Sequence, residues 1–270
     1  MSEPASPPGR TGAISRVQLF ATCLVDHFCP EVAWATVRLI ERLGLTVDVP
    51  LDQTCCGQPA FNGGFEDDAR DMARHTIAVL GRNPAPIVVP SGSCAEMIVH
   101  HYPRLFADDE SWGPRAVEVA GRTYELSQFL VDVLGVTDVG AAAAGPVAYH
   151  ASCHGLRGLG LRAQPRQLLA HVHGASCRDL PSAETCCGFG GLFAVKMAPI
   201  SGAMLQNKLD DIEASGARTV VATDVSCLMH MGGGLRRRGS RVEVKHLAEV
   251  LAGTEAEGGR RQGEGGGRED

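Results

Sequence analysis

The 270-residue chain has no apolar run long enough to cross a bilayer. Its most apolar stretches, Pro86-Ile87-Val88-Val89-Pro90 and Ala141 to Ala144, fall far short of the ~18 residues that a spanning helix needs. The segment Met1 to Arg16 is rich in Pro, Ser and Gly and lacks the apolar core of a secretory signal. A net charge of -6 gives no reason to expect nucleic acid as a partner. No G-x-G-x-x-G or Walker A string is present, so nucleotide or flavin binding is not indicated. No Ser-His-Asp constellation stands out. Apolar content of 44% and charged content of 21% are ordinary for a soluble globular protein, and the length suits one large domain or two small ones. A cytoplasmic location is the expectation, and with it reduced thiols. Cysteines in that compartment serve as metal ligands or catalytic groups more often than as disulfides.

Two cysteine spacings are missing as well. There is no Cys-x2-Cys of the kind that builds a zinc tetrahedron locally, and no closely spaced ferredoxin run. The chain carries instead two ladders in the same order, Cys23, Cys55, Cys56, Cys94 and Cys153, Cys186, Cys187, Cys227. The gaps are 31 and 37 residues in one and 32 and 39 in the other, and each adjacent pair is followed by glycine, Gly57 or Gly188. Adjacent cysteines are poor disulfide partners because the small ring strains both the bond and the backbone. Four thiolates per half can bind a soft or borderline metal: an iron–sulfur cluster, zinc or copper(I). A cluster presents several irons, so neighbouring cysteines can each reach a different one. A glycine without Cβ would let the backbone approach such a core. Redox-active thiols without metal are the remaining alternative.

The repeat extends beyond cysteine. Residues 17–23 match 147–153, each an apolar strand running into a cysteine, and 86–90 match 219–223 before Cys94 and Cys227. Short β-branched runs bounded by Gly, Pro, Ser or Asp predict buried parallel strands. Helices are predicted over 31–43, 65–80, 126–134, 196–215 and 247–251. Strands alternating with helices predict an α/β fold of two duplicated Rossmann-like βαβ halves with parallel sheets, related by a pseudo-two-fold. The expected organisation is a disordered tail over 1–15, halves over 16–135 and 146–252, a linker near 135–145, and a second tail over 253–270. The cysteines should lie at strand C-terminal ends, where open α/β sheets place ligands.

The ladder resembles the cysteine-rich CCG domain of heterodisulfide reductase and of the glycolate oxidase and glycerol-3-phosphate dehydrogenase iron–sulfur subunits. The strings Phe20-Ala21-Thr22-Cys23, Cys55-Cys56-Gly57-Gln58-Pro59-Ala60, Pro90-Ser91-Gly92-Ser93-Cys94, Thr185-Cys186-Cys187-Gly188-Phe189-Gly190-Gly191 and Asp224-Val225-Ser226-Cys227-Leu228-Met229 are more closely similar to the lactate-utilisation protein A family. The resemblance covers essentially the whole body between the tails. It implies an iron–sulfur electron-transfer subunit of a complex that oxidises L-lactate to pyruvate, with lactate-utilisation proteins B and C as partners. A small 2-hydroxy acid would be handled through that complex. The implied ligands are Cys23, Cys55, Cys56, Cys94, Cys153, Cys186, Cys187 and Cys227, holding one 4Fe–4S cluster per half. In the reductase the ladder ends in Cys-x2-Cys and five cysteines hold a noncubane cluster. Met97 and His230 stand at that last position here, with His230 a further candidate ligand. Rival readings are a heterodisulfide-reductase-like thiol/disulfide redox subunit, an iron–sulfur subunit for another 2-hydroxy acid such as glycolate, and a zinc-stabilised docking scaffold.

Other residues are weaker candidates. Cys29 and Cys177 lie outside the ladder and are expected to be small buried hydrophobes. His27, His150 and His154 neighbour ladder cysteines and are expected to hydrogen-bond cluster sulfurs or a substrate carboxylate. His100 and His101 are expected to be surface or core. Lys196 follows Gly-rich backbone at an expected helix start, where an anion can bind.

Overall fold

A computed structural model describes residues 14–254. The first half runs β1 (Arg16–Leu19), α1 (Cys23–Phe28), α2 (Pro30–Arg42), β2 (Thr46–Asp48), α3 (Gln58–Asn62), α4 (Glu66–Leu80) and β3 (Ile87–Val89). It continues through α5 (Gly92–Glu96), a π turn over Met97–His101, α6 (Tyr102–Leu105), α7 (Gly113–Gly121) and β4 (Thr123–Glu125). It closes on α8 (Leu126–Gln128) and a second π turn, Phe129–Val133. The second half runs β5 (Ala142–Tyr149), a π turn His154–Gly158, α9 (Gln164–Ala170), β6 (His173–Arg178), α10 (Leu192–Lys196) and α11 (Ala198–Ala214). It ends with β7 (Thr219–Ala222), α12 (Val225–Arg237), β8 (Glu243–His246) and α13 (Leu247–Ala252). No helix among the described residues is long and apolar enough to cross a membrane.

Each half is a four-stranded, all-parallel sheet, in the order β2-β1-β3-β4 and β6-β5-β7-β8. The duplicated α/β architecture expected from the repeat is therefore present. β3 and β7 are buried along their whole length, which is why they read as unbroken β-branched runs. The order of strands reverses between β1 and β3 and between β5 and β7. Crevices at such switch points are where ligands bind in open α/β sheets.

The main core joins the halves. Val17, Leu39 and Phe129 pack in one cluster with Val147, Leu168, Val221, Leu247 and Leu251. The closing helices are exchanged: α13 packs on α2 of the first half, and α8 with its π turn packs on α9 of the second. α13 packs also on β5, β7 and β8 of its own sheet, so it bridges the two halves through one shared core.

Three boundaries differ from expectation. The stretch read as a linker contributes the start of β5 at Ala142, because its Ala-rich backbone pairs with β6 through a register shift between Ala142 and Gly145. The ordered body also reaches further at both ends. Ile14 packs against the core, and Ala142 N donates to Gly253 O at 3.0 Å. The rest of both expected tails, 1–13 and 255–270, lies outside the described residues. The helix expected over 196–215 is two helices, α10 and α11, broken at Met197.

Candidate metal centre

All eight ladder cysteines line a single cleft of about 180 Å³ between the halves. Topology delivers them there. Cys23 opens α1 after β1, and Cys153 follows β5 directly before a π turn. Cys94 and Cys227 lie in the first turns of α5 and α12, after the buried strands β3 and β7. The adjacent pairs occupy the loops before α3 and α10. Within the first half, Cys56 Sγ and Cys94 Sγ are 3.4 Å apart. All ten cysteines are free thiols.

The glycines after each pair serve the loop rather than the cleft. Gly57 and Gly188 have φ of 86° and 90°, a left-handed conformation that residues with a Cβ resist. A Cβ on Gly57 would lie 3.2 Å from Ala69 O, and one on Gly188 would lie 2.7 Å from Ser201 O. Both glycines thus back onto the following helix, α4 or α11. Two hydroxyls pin the loops. Tyr102 Oη donates to Cys56 O at 2.8 Å, and Ser201 Oγ donates to Gly188 O at 2.7 Å.

Thiol contacts divide the protons unequally. Hydrogen bonds from Cys23 and then Cys56 pull Cys55 down to about 3, while Cys23 is pushed well up by its bond to Cys55 and by burial. Cys186 falls to about 2 through Cys153 and then Cys187, and Cys153 rises in turn. Cys56 and Cys187 are pushed up by their cysteine neighbours and by burial. Each half thus holds a thiolate at neutral pH among further sulfurs. No Lys or Arg lines the cleft to balance that charge. Several converging thiols, some already deprotonated and without a basic partner, form a donor set that fits a soft metal centre.

The other sequence candidates scatter. His230 does not line the cleft. Its Nε2 lies 3.5 Å from Ser201 Oγ, its ring meets Phe189 edge-on at 5.9 Å, and burial lowers its pKa. Met97 is buried in the first-half core with Tyr102 and Phe106. Cys29 is half-buried at the start of α2, and Cys177 is exposed on the edge strand β6, contrary to its expected burial. His27 is exposed, with Nδ1 3.0 Å from Cys23 O, so it does not face the cleft as expected. His100 is exposed, and His101 stacks on Phe61 with ring centroids 4.4 Å apart. Lys196 ends α10 rather than starting it and is exposed, so the anion-site expectation for it fails.

His154 and His150 are placed as the sequence suggested, near ladder sulfurs. His154 lines the cleft, and its Nδ1 is paired with Glu96 of the opposite half. That bond raises the pKa of His154 against the opposing effect of burial. Gly158 makes room for the pair, since a Cβ there would sit 2.1 Å from Glu96 Oε1. His150 is wholly buried beside Cys187 and Cys227. Sequence reasoning overlooked Glu96, Ser91, Ser93 and Asp224, which act where the halves meet. Aligning the repeats offered one signal, because Asp224 stands opposite Ser91.

A family model described as a cysteine-rich domain, CCG, matches residues 17–99 and again 147–232. "Lactate utilization protein A" of Bacillus cytotoxicus is 48% identical over 236 residues, covering 87% of this chain and 98% of that protein. The protein of the same description from an Exiguobacterium species is also 48% identical, covering 87% and 96%. Among solved structures, a putative Asp/Glu racemase from Yersinia pestis aligns with 88% of this chain and 96% of its own, at 8% identity and a TM-score of 0.37. The chain belongs to the lactate-utilisation protein A family, and it carries the cysteine-rich CCG domain twice.

Proposed function

We propose that the chain is a cytoplasmic iron–sulfur electron-transfer subunit of a system that oxidises L-lactate to pyruvate. The observation that carries this reading is the one cleft lined by both cysteine ladders. Cys23, Cys55, Cys56 and Cys94 would hold one 4Fe–4S cluster, and Cys153, Cys186, Cys187 and Cys227 the other. When bound, such clusters supply one-electron carriers.

The chain's own residues hold and shield the site. Pro59, Phe189 and Leu192 contribute apolar lining that limits water. Asp224 ties the two cysteine-bearing helix starts together through Ser91 and Ser93. Glu96 fixes the His154 ring at the cleft wall through Nδ1. Oxidation of lactate to pyruvate releases two electrons and two protons, and hydride chemistry of that kind is ordinarily the work of a flavin or nicotinamide. That step is assigned to a partner, lactate-utilisation protein B or C, and this chain takes the electrons one at a time.

The test is anaerobic mixing of this chain with purified lactate-utilisation proteins B and C, with and without L-lactate, followed by EPR. A reduced-cluster signal that needs both lactate and the partners is expected. No signal in the complete mixture, from protein that dithionite does reduce, would contradict the proposal.

A further inference from the structure

One buried position breaks the equivalence of the two ladders. Phe20 and His150 occupy the same place in the repeat, three residues before Cys23 and Cys153. Their backbones confirm the match. Phe20 N donates to Val88 O at 3.0 Å and His150 N donates to Val221 O at 2.8 Å, each across the equivalent strand pair. Both side chains are 0% exposed. In the first half, Phe20 shares a buried cluster with Cys56 and Cys94. In the second, a ring nitrogen of His150 and the sulfurs of Cys187 and Cys227 all lie within 4.8 Å of one another. The corresponding cysteine pair is thus backed by a phenyl ring in one half and by an imidazole in the other.

Neither ring nitrogen of His150 has a hydrogen-bond partner within the protein, sulfur included. A buried donor left unmet keeps its full desolvation cost, so polar groups in this setting normally have a partner. The nearest groups that could accept from it are the sulfurs of Cys187 and Cys227, within 4.8 Å of one ring nitrogen but not yet bonded to it. We propose that, once the second-half centre is loaded, a ring N–H of His150 donates a hydrogen bond to a sulfur of Cys187 or Cys227, making this centre the higher-potential one of the two. The inference rests on the iron–sulfur reading.

The physical basis is charge. Reduction adds one electron to a centre, makes or breaks no bond, and increases the negative charge on iron and sulfur. A donor aimed at the sulfurs stabilises that charge and raises the potential, whereas an apolar wall such as Phe20 does not. The first electron added to the protein therefore resides in the second half. His150 is a positioning residue that acts through the ligands, and its effect is read in potentials rather than in cluster content.

The experiment is an EPR-monitored potentiometric titration of anaerobically purified full-length protein. Wild type should show two centres with separate midpoints, and the upper one should be missing in Cys187→Ser. In His150→Phe, which installs the residue the other half already carries, iron per chain should stay unchanged. At a fixed potential the ratio of reduced to oxidised second-half centre should fall at least about tenfold, equivalent to about 59 mV for one electron. The reciprocal Phe20→His should raise the first-half midpoint. Both centres present with unmoved midpoints in the two variants would overturn the inference alone. Loss of second-half iron in His150→Phe, with strong nitrogen hyperfine coupling in wild type, would also overturn it by making His150 a ligand. Iron-free wild type would remove the underlying reading itself.

Discussion

Ser91 Oγ donates a 2.8 Å hydrogen bond to Asp224 Oδ1, and the two residues occupy the same position in their respective halves. Each stands at the N-cap of the helix that carries a ladder cysteine three residues on, Cys94 in α5 and Cys227 in α12. Only Ser91 caps its helix with its side chain, whereas Asp224 turns its carboxylate to the opposite half. A bond between equivalent residues lies at the pseudo-two-fold. Asp224 Oδ1 accepts also from Ser93 Oγ at 2.7 Å and from Ser93 N at 3.2 Å. Paired aspartates at this point would repel, so the repeat carries serine on one side and aspartate on the other.

Removing Asp224 should therefore loosen the seam between the halves. Asp224→Ala removes the carboxylate shared by the buried Ser91 hydroxyl and the half-buried Ser93 hydroxyl, leaving them only each other at 3.0 Å. Hydrogen bonds to a charged group are worth about 1.5–3 kcal/mol each. The expected loss in chemical denaturation is roughly 2–4 kcal/mol, with Asp224→Asn keeping part of it. A loss below about 0.5 kcal/mol, the range of ordinary surface substitutions, would contradict this role.

Glu125 and His246 form a second matched pair, at the ends of β4 and β8, each capping the closing helix of its half. Both are fully buried. Burial raises Glu125 from 4.5 to about 7, against the opposing hydrogen bonds from Ser127, and lowers His246 from 6.5 to about 4. The signs are opposite. A raised carboxyl stabilises the fold below pH 4.5, and that stability is lost as pH rises through about 7. A depressed imidazole stabilises it above pH 6.5, and that stability is lost as pH falls toward 4. Between pH 6.5 and 8 the Glu125 share of the decline is about 1 kcal/mol, and the last part of the His246 gain opposes it by less than about half of that. His154, whose pKa is raised by Glu96, declines in the same direction. Comparison of wild type with Glu125→Gln isolates the carboxyl. The decline should be shallower in the variant, and equal slopes would contradict the assignment.

Proton sharing among the thiols predicts an order of alkylation in metal-free protein. At pH 6, Cys55 and Cys186 are thiolates and half-buried, whereas Cys56 and Cys187 are protonated and buried. Iodoacetamide followed by peptide mass spectrometry should find Cys55 and Cys186 modified at least ~10-fold faster than the other ladder cysteines, because the thiolate is the nucleophile. Ladder labelling that begins at Cys56 or Cys187, or that proceeds at one rate across the ladder, would contradict the arrangement.

Much of the architecture was legible in the sequence because the core strands are buried on both faces. Ile87-Val88-Val89 and Thr219-Val220-Val221 admit little but a parallel strand, and the repeat registered the halves on one another. The outer strands were not legible. β2 is three residues long, and β6 is largely exposed, so neither has an apolar signature to read. The Ala-rich start of β5 carries no β-branched residue before Val147 and passed for a linker. Within the site, the cysteines announced themselves by spacing, whereas Glu96 and Asp224 matter only through partners in the opposite half. Gln18 is similarly hidden. It stands in a strand, yet its side-chain amide donates to Asn83 O at 2.8 Å to hold the loop before β3. His150 was visible only as a neighbour of Cys153, and its contrast with Phe20 acquires meaning from the sulfurs beside it.

The most direct test of two ladder-held centres is iron and acid-labile sulfide per chain in anaerobically purified protein, measured for wild type, Cys56→Ser and Cys187→Ser. Iron and sulfide are expected in wild type, with each variant losing the share of its own half while the other half keeps its centre. Wild type devoid of iron, or iron per chain unchanged in both variants, would contradict the assignment.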